Sequence, residues 1–146
     1  FLNEVITSKQ YLNLFTLIRK AREKDIRVSL GGEPHRNIFD SYLNHKARKY
    51  NIGGCSAGRF FISVDPNGDV TPCGFIPLIV GNINKKSVKK IWKNSEILNK
   101  LRDRNNLKGS CENCKNKFIC GGCRASALAM SGDLFDSDPL CWKIKI

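Results

Sequence analysis

The sequence predicts a small α+β fold: a β-hairpin, short helices and cysteine-rich loops, preceded by a helix–strand unit. Three observations carry this reading. An apolar stripe at helical spacing near the start is followed by a short alternating run. Two further alternating runs flank Asp65-Pro66-Asn67-Gly68, a strong turn signal. Beyond Leu107 regular patterning gives way to a segment dense in cysteine.

The elements follow in chain order. Ser8 can cap a first helix, in which Tyr11, Leu14, Phe15, Ile18 and Ala21 recur on one face. Lys24-Asp25 ends it. Ile26, Val28 and Leu30 alternate as a strand, which Gly31-Gly32 stops. Residues 8–30 therefore read as one helix–strand repeat of an α/β barrel or sheet. A second helix is predicted over residues 37–48, with Ile38, Phe39, Tyr42 and Leu43 on one face. Residues 51–54 form a turn and the composition then changes. The boundary is placed near residue 50, which gives units of residues 1–50 and 51–146. In the second unit Phe60, Ile62 and Val64 form a strand, and Val70 to Cys73 returns as its partner. Pro66 suits the second turn position and Gly68 the fourth. This hairpin holds Cys55, just before it, close to Cys73 at its end. Ser87 caps a short helix with Val88, Ile91 and Trp92 inward. Ser95 starts another with Ile97, Leu98 and Leu101.

Composition sets outer limits. The chain has 146 residues, enough for one ordinary domain or a small domain with a piece of another. Apolar residues make up 41% of it, which excludes a disordered composition. It begins at Phe1 and its one methionine is Met130, so a piece of a longer protein is expected. No apolar run approaches the ~18 residues of a membrane span, and no secretory signal pattern opens the chain. The formal charge is +12, and residues 85–117 hold eleven Lys or Arg against three acids. A nucleic-acid patch and a solvated basic surface both fit this. The second is preferred: much of the stretch reads as helix surface, and it lacks the interleaved aromatics of a single-strand platform.

The cysteines carry the chemistry. Their order is Cys55, seventeen residues, Cys73, a long gap, then Cys111-x2-Cys114-x5-Cys120-x2-Cys123, seventeen residues, and Cys141. A CxxC loop lets two thiolates face one centre, so two such pairs five residues apart are a strong metal signal. Seven is an odd number, which argues against a complete disulfide framework and suits metal ligation in a reducing cytoplasm. Three readings compete. Structural zinc needs four ligands, usually in pairs separated by about fifteen or more residues, and leaves Cys55, Cys73 and Cys141 without a use. A disulfide scaffold leaves one thiol over. Iron–sulfur clusters are held by closely spaced cysteines plus a distant one. Gly121-Gly122, between two cysteines, lets the backbone approach a cluster with amides free to bond its sulfurs.

Taken together, Cys55, Gly68-x4-Cys73, Cys111-x2-Cys114-x5-Cys120, Cys123 and Cys141 resemble the seven-cysteine motif of the SPASM domain, which ends many radical S-adenosylmethionine maturases. That motif usually has three residues between its fifth and sixth cysteines; here there are two. This spacing, with Arg124-Ala125, Gly54-Cys55-Ser56-Ala57-Gly58 and Asp138-Pro139-x-Cys141, is similar to the subgroup of haem d1 and alternative haem biosynthesis enzymes. The resemblance covers roughly residues 51–142, with residues 1–50 resembling the end of the partial catalytic barrel. It implies two auxiliary [4Fe–4S] clusters. Cys55, Cys73 and Cys123 would hold the first; Cys111, Cys114, Cys120 and Cys141 would hold the second. Seven thiolates leave one of eight ligand places to another group, and the first cluster is the expected one, among the small residues Gly53, Gly54, Ser56, Ala57 and Gly58. Such clusters would bring the formal charge from +12 to about +9.

The resemblance further implies an enzyme acting on a peptide or a tetrapyrrole, a missing upstream radical S-adenosylmethionine barrel, and a donor such as ferredoxin or flavodoxin. No CxxxCxxC loop occurs in the sequence, so S-adenosylmethionine belongs to the full-length parent, and no catalytic residue is assigned here. Zinc is expected to enter the thiolates of aerobically prepared protein. The alternative is an autonomous zinc module with a nucleic-acid-contacting basic surface. Gly31-Gly32-Glu33-Pro34 resembles the cofactor-contacting GGEP motif but lies only about twenty residues before Cys55, so it reads as a strand-ending turn. His35 is a candidate substrate-side group in that loop and His45 a surface residue. Trp92 and Trp142 read as core anchors, and Asp133, Asp136 and Asp138 as the lead-in to Cys141.

Overall fold

The computed structural model describes residues 5–28, 35 and 54–143. Helix α1, Ser8–Glu23, buries Tyr11, Phe15 and Ile18. Leu14, expected on that face, is 42% exposed because it sits at the margin of the stripe. The cap is Thr7, not Ser8. The Thr7 hydroxyl accepts the Gln10 N–H while the Gln10 side chain accepts the Thr7 N–H, a reciprocal capping box. Lys24 closes the helix, and Asp25 takes a left-handed backbone at φ 59°. Residues 26–28 have no regular structure and Ile26 is largely exposed, so this part of the expected strand is absent. Three apolar residues at alternate positions are too few to impose a strand without a partner. The rest of that strand, the predicted helix over 37–48 and residues 51–53 of the turn lie outside the described residues.

The hairpin forms, with shorter strands than expected. Strand β1 is Ser63–Val64 and β2 is Asp69–Thr71, paired antiparallel with Ser63 opposite Thr71. Asp65 Oδ1 accepts the N–H groups of Asn67 and Asp69, and Gly68 supplies the positive φ that the turn requires. Phe60 lies outside the strand and is exposed. A third strand, β3 (Gly81–Asn82), adds to the free edge of β2, giving a sheet ordered β1-β2-β3.

Helix α2 spans Val88–Asn94 and buries Ile91; Val88, expected inward, is exposed. Helix α3 spans Glu96–Arg102, is capped by the Ser95 hydroxyl, and buries Leu98 and Leu101. Arg102 from α3 stacks over the Trp92 ring and donates to the Trp92 carbonyl, which fixes the α2–α3 corner. A 3₁₀ turn, Arg104–Asn106, follows. The cysteine-dense segment is less loop-like than the sequence suggested. It contains a single helical turn, α4 (Gly109–Glu112), and an eight-residue helix, α5 (Arg124–Ser131), ended by Gly132 at φ 77°.

Two apolar clusters organise the described residues. One gathers Cys55, Ala57, Ile76, Leu101 and Leu134, with Ile97, Leu128 and Phe135 packed against it. The other is aromatic: Tyr11 and Phe15 of α1 surround the Trp142 ring at centroid distances of 6.0 and 5.5 Å. This contact ties α1 to the chain just beyond Cys141.

Candidate metal centre

Cys111, Cys114, Cys120 and Cys141 line one cavity of about 230 Å³. The first two come from α4 and the loop after it. Cys120 is delivered by turns in which its N–H donates to the Asn116 carbonyl at 2.9 Å. Cys141 arrives from the far end of the segment, its N–H donating to the Asp138 carbonyl at 3.1 Å. Among the described residues no group of three or more His, Cys, Asp or Glu side chains is arranged to hold a single metal ion. The four cysteines share the cavity lining with His35, Asn116, Gly121 and Gly122.

Cys55 and Cys73 border the first apolar cluster, Cys55 inside it and Cys73 packed on it. Cys123 is the N-terminal boundary residue of α5, and Cys55 is among the groups whose charge acts on its thiol. The two sets touch through backbone: Cys55 N–H donates to the Cys120 carbonyl at 2.9 Å. All seven cysteines are free thiols.

The surroundings suit sulfur that carries negative charge. Gly122 N–H donates to Cys120 Sγ and Phe75 N–H donates to Cys73 Sγ, each at 3.3 Å. Gly121 and Gly122 both adopt positive φ, which lets the chain turn within the Cys120–Cys123 loop. Burial pushes the Cys120 thiol up to about 12, against the opposing pull of the Gly122 N–H. Burial also raises Cys123 and Cys141. Thiols held neutral in the metal-free fold become ligands only by losing their protons to a bound metal. The donors, the cavity and the amides aimed at sulfur fit an iron–sulfur cluster.

Three buried charged groups have contacts that the sequence does not reveal. Asp138 is fully buried: Oδ2 accepts the Cys123 N–H and Oδ1 accepts the Leu140 N–H at 2.9 Å. Asp138 thus meets both cysteine sets, Cys123 through its carboxylate and Cys141 through its backbone carbonyl. Arg124 is fully buried, and its Nη2 reaches Cys111 Sγ at 3.9 Å. Arg104, 3% exposed, donates from Nη2 to the Cys55 carbonyl at 2.7 Å. His35 also lines the cavity. It is buried, with Nδ1 3.3 Å from Tyr11 Oη and Nε2 3.3 Å from Asp138 Oδ2, the latter without hydrogen-bond alignment. Burial lowers its pKa, opposed by Asp138. His45 lies outside the described residues.

Gly54, Ala57 and Gly58 do not leave the open space expected of them; Ser56 is exposed and Gly53 lies outside the described residues. A β-carbon on Gly54 would lie 2.0 Å from the Cys120 carbonyl oxygen, and one on Gly58 would meet Leu101 at 2.9 Å. Ala57 is buried in the first apolar cluster. These positions are small because backbone and side chains close over them.

The fold and site define a cysteine-rich α+β metal-binding protein. Comparison with known proteins makes the class specific. The family model described as an iron–sulfur cluster-binding domain, SPASM, matches residues 55–115. An AdoMet-dependent heme synthase of Methanosarcina barkeri is 44% identical over 60% of this chain and 25% of its own length. A second, from Nitratidesulfovibrio vulgaris, is 39% identical over 95% of this chain and 41% of its own length. A PqqA peptide cyclase of Xanthomonas axonopodis pv. citri is 37% identical over 58% of this chain and 24% of its own length. Residues 55–115 of this chain therefore match the SPASM iron–sulfur cluster-binding domain. It spans less than half the length of these relatives. Among the described residues no helix is long and apolar enough to cross a membrane.

Proposed function

We propose that this chain is the auxiliary cluster-binding part of a radical S-adenosylmethionine maturase, cytoplasmic, acting on a tetrapyrrole or a peptide. The relatives' names, a heme synthase and a peptide cyclase, support those two substrate classes. The observation that carries the reading is the single cavity lined by Cys111, Cys114, Cys120 and Cys141, with the Gly122 amide turned to sulfur. In this reading those four cysteines hold one [4Fe–4S] cluster, and Cys55, Cys73 and Cys123 hold another whose last ligand is not a cysteine. Such clusters supply one-electron transfer, or a Lewis-acid iron where a ligand place is open. The chain's own residues keep the thiolates in two sets, exclude water from Cys55 and Cys120, and present amides to sulfur. The separate barrel would cleave S-adenosylmethionine, because this sequence contains no CxxxCxxC loop. Ferredoxin or flavodoxin would supply electrons.

A zinc module is the rival reading. Zinc needs four ligands and leaves Cys55, Cys73 and Cys123 without a use, since the shared cavity is lined by the other four cysteines. The test is anaerobic reconstitution with iron and sulfide. Brown protein with broad visible absorption and about eight irons per chain is expected for two cubane clusters. Colourless protein that keeps one zinc and refuses iron would sink the proposal. Zinc in aerobically purified material does not decide, since vacated thiolates take it up.

A further inference from the structure

Arg104 and Arg124 are buried beside the cysteines, and ligation itself needs neither. The Arg104 guanidinium packs on Gly121, where a β-carbon would sit 2.3 Å from its Cζ. Its Nη2 is held by the Cys55 carbonyl, and its Nε is buried without a partner. Arg124 Nη1 donates to the carbonyls of Leu134 and Asp136 at 3.2 and 2.7 Å. Its Nε too is buried without a partner, while Nη2 points to Cys111 Sγ.

Carbonyls satisfy hydrogen bonds but leave the charges uncancelled. Among the described residues the one buried carboxylate is Asp138, whose oxygens already serve Cys123 and Leu140. Two buried cations therefore stand against one buried anion. A buried charge without a counter-charge is strongly destabilising. The remaining candidates for negative charge are the sulfurs: Arg124 Nη2 reaches Cys111 Sγ, and Arg104 packs on Gly121, next to Cys120, with its Nη2 on the Cys55 carbonyl.

We propose that Arg104 and Arg124 are the internal counter-charges of the metal-bound thiolates, Arg104 serving both sets and Arg124 the second, and that they raise both clusters' reduction potentials. The proposal rests on the iron–sulfur reading above. The step concerned is the addition of one electron from a low-potential reductant, converting one ferric to one ferrous iron; no bond breaks and no proton moves. A fixed cation in a low-dielectric interior favours the more negative, reduced state.

The test uses the full chain, loaded anaerobically with iron and sulfide, poised with dithionite and mediators, and followed by electron paramagnetic resonance. Wild-type protein that takes up no iron overturns the iron–sulfur reading and this proposal together; every later result bears on the arginines alone. Arg104→Gln is expected to keep its iron and to lower the reduced-to-oxidised ratio of both signals at least tenfold, about 59 mV for one electron. Arg124→Gln is expected to do so for one signal, and Arg104→Lys to restore wild-type values. Loaded Arg104→Gln with unchanged potentials overturns the proposal. Should Arg104→Gln fail to load, Arg104→Lys decides. Normal iron and potentials there support the charge, whereas failed loading or shifted potentials assign Arg104 to packing and overturn it.

Discussion

Gly54→Ala tests the seam between the two cysteine sets. Gly54 has φ 76°, and a β-carbon there would sit 2.0 Å from the Cys120 carbonyl oxygen and 2.6 Å from its carbon. Both are backbone atoms and cannot swing away. A left-handed backbone costs an L-residue roughly 1–2 kcal/mol. Forced overlap in a packed site typically adds about 1–3 kcal/mol, for a total of about 2–5 kcal/mol. Gly132→Ala is the matched control: its φ is 77° and nothing lies within 4 Å of its β-carbon position. It carries only the first cost, so the difference between the variants isolates the contact. In urea, with a slope of about 1–3 kcal/mol per molar, the Gly54 variant should unfold roughly 1 M earlier than the Gly132 variant. The assay is far-ultraviolet circular dichroism of anaerobically loaded protein, with iron content measured in parallel. Gly54→Ala should also lose iron, because displacing the Cys120 carbonyl breaks its bond from the Cys55 amide. Equal midpoints and equal iron in the two variants would refute the contact and the coupling drawn from it.

Three further outcomes are expected. Asp138→Ala orphans the half-buried N–H groups of Cys123 and Leu140, at up to about 1–3 kcal/mol each, so it should lose iron faster than Asp138→Asn, which keeps one acceptor; equal loss rates would remove the tether role. Cys114→Ala or Cys120→Ala should lose amide protection over residues 108–123 and 136–143, while the sheet, α2 and α3 keep theirs around buried Val70, Ile91 and Leu98. Unchanged hydrogen exchange across the cysteine segment of metal-free protein would contradict it. In metal-free protein the raised thiol of Cys120 binds its proton more tightly folded than unfolded. Its stabilising contribution is full below about 9 and is lost as pH climbs towards about 12. Urea midpoints should fall across that window and fall less in Cys120→Ala; a flat wild-type profile would show that Cys120 is not buried.

The elements legible in the sequence are those whose signals are local. The Tyr11, Phe15 and Ile18 stripe and the Asp65–Gly68 turn follow from neighbours along the chain. The Thr7–Gln10 capping box was equally local, since threonine three residues before glutamine is its signature, but Ser8 drew the reading one position late. Helix α5 was also within reach: Arg124-Ala-Ser-Ala-Leu-Ala-Met is rich in helix formers and ends at a glycine. The cysteines on either side drew the segment towards loop. Strand β3 could not be read, because Gly81-Asn82 has no strand propensity; it pairs because β2 offers an edge, and Ile91 packs where a Gly81 side chain would stand. Within the site, the CxxC pair and close spacing account for the neighbourhood of Cys111, Cys114 and Cys120. The return of Cys141 to the same cavity depends on tertiary contacts of Asp138 and Trp142. The burial of Arg104, Arg124, Asp138 and His35 has no signal in the sequence, for a general reason. Charged or titratable side chains are read as surface residues, and burial beside cysteine sulfur has no local pattern.

Those same contacts explain why the cysteines interleave along the chain. A site built from consecutive cysteines could fold and unfold on its own loop. Here Cys120 and Cys123, separated by two glycines, belong to different neighbourhoods: Cys120 to the cavity with Cys111, Cys114 and Cys141, and Cys123 to the region of Cys55. Three contacts cross that divide. Cys55 bonds the Cys120 carbonyl, Asp138 holds Cys123 while its own carbonyl holds Cys141, and Arg104 lies between Cys55 and Cys120. Strain at one set must therefore be transmitted to the other within a few covalent bonds. The Gly121-Gly122 link is the narrowest point, since Arg104 fills the space beside Gly121 and Arg124 with Asp138 fills that beside Gly122. A side chain at either glycine would displace a buried charge and sit on a positive-φ backbone. The spacing of two residues between Cys120 and Cys123 is thus a packing requirement as much as a ligand spacing.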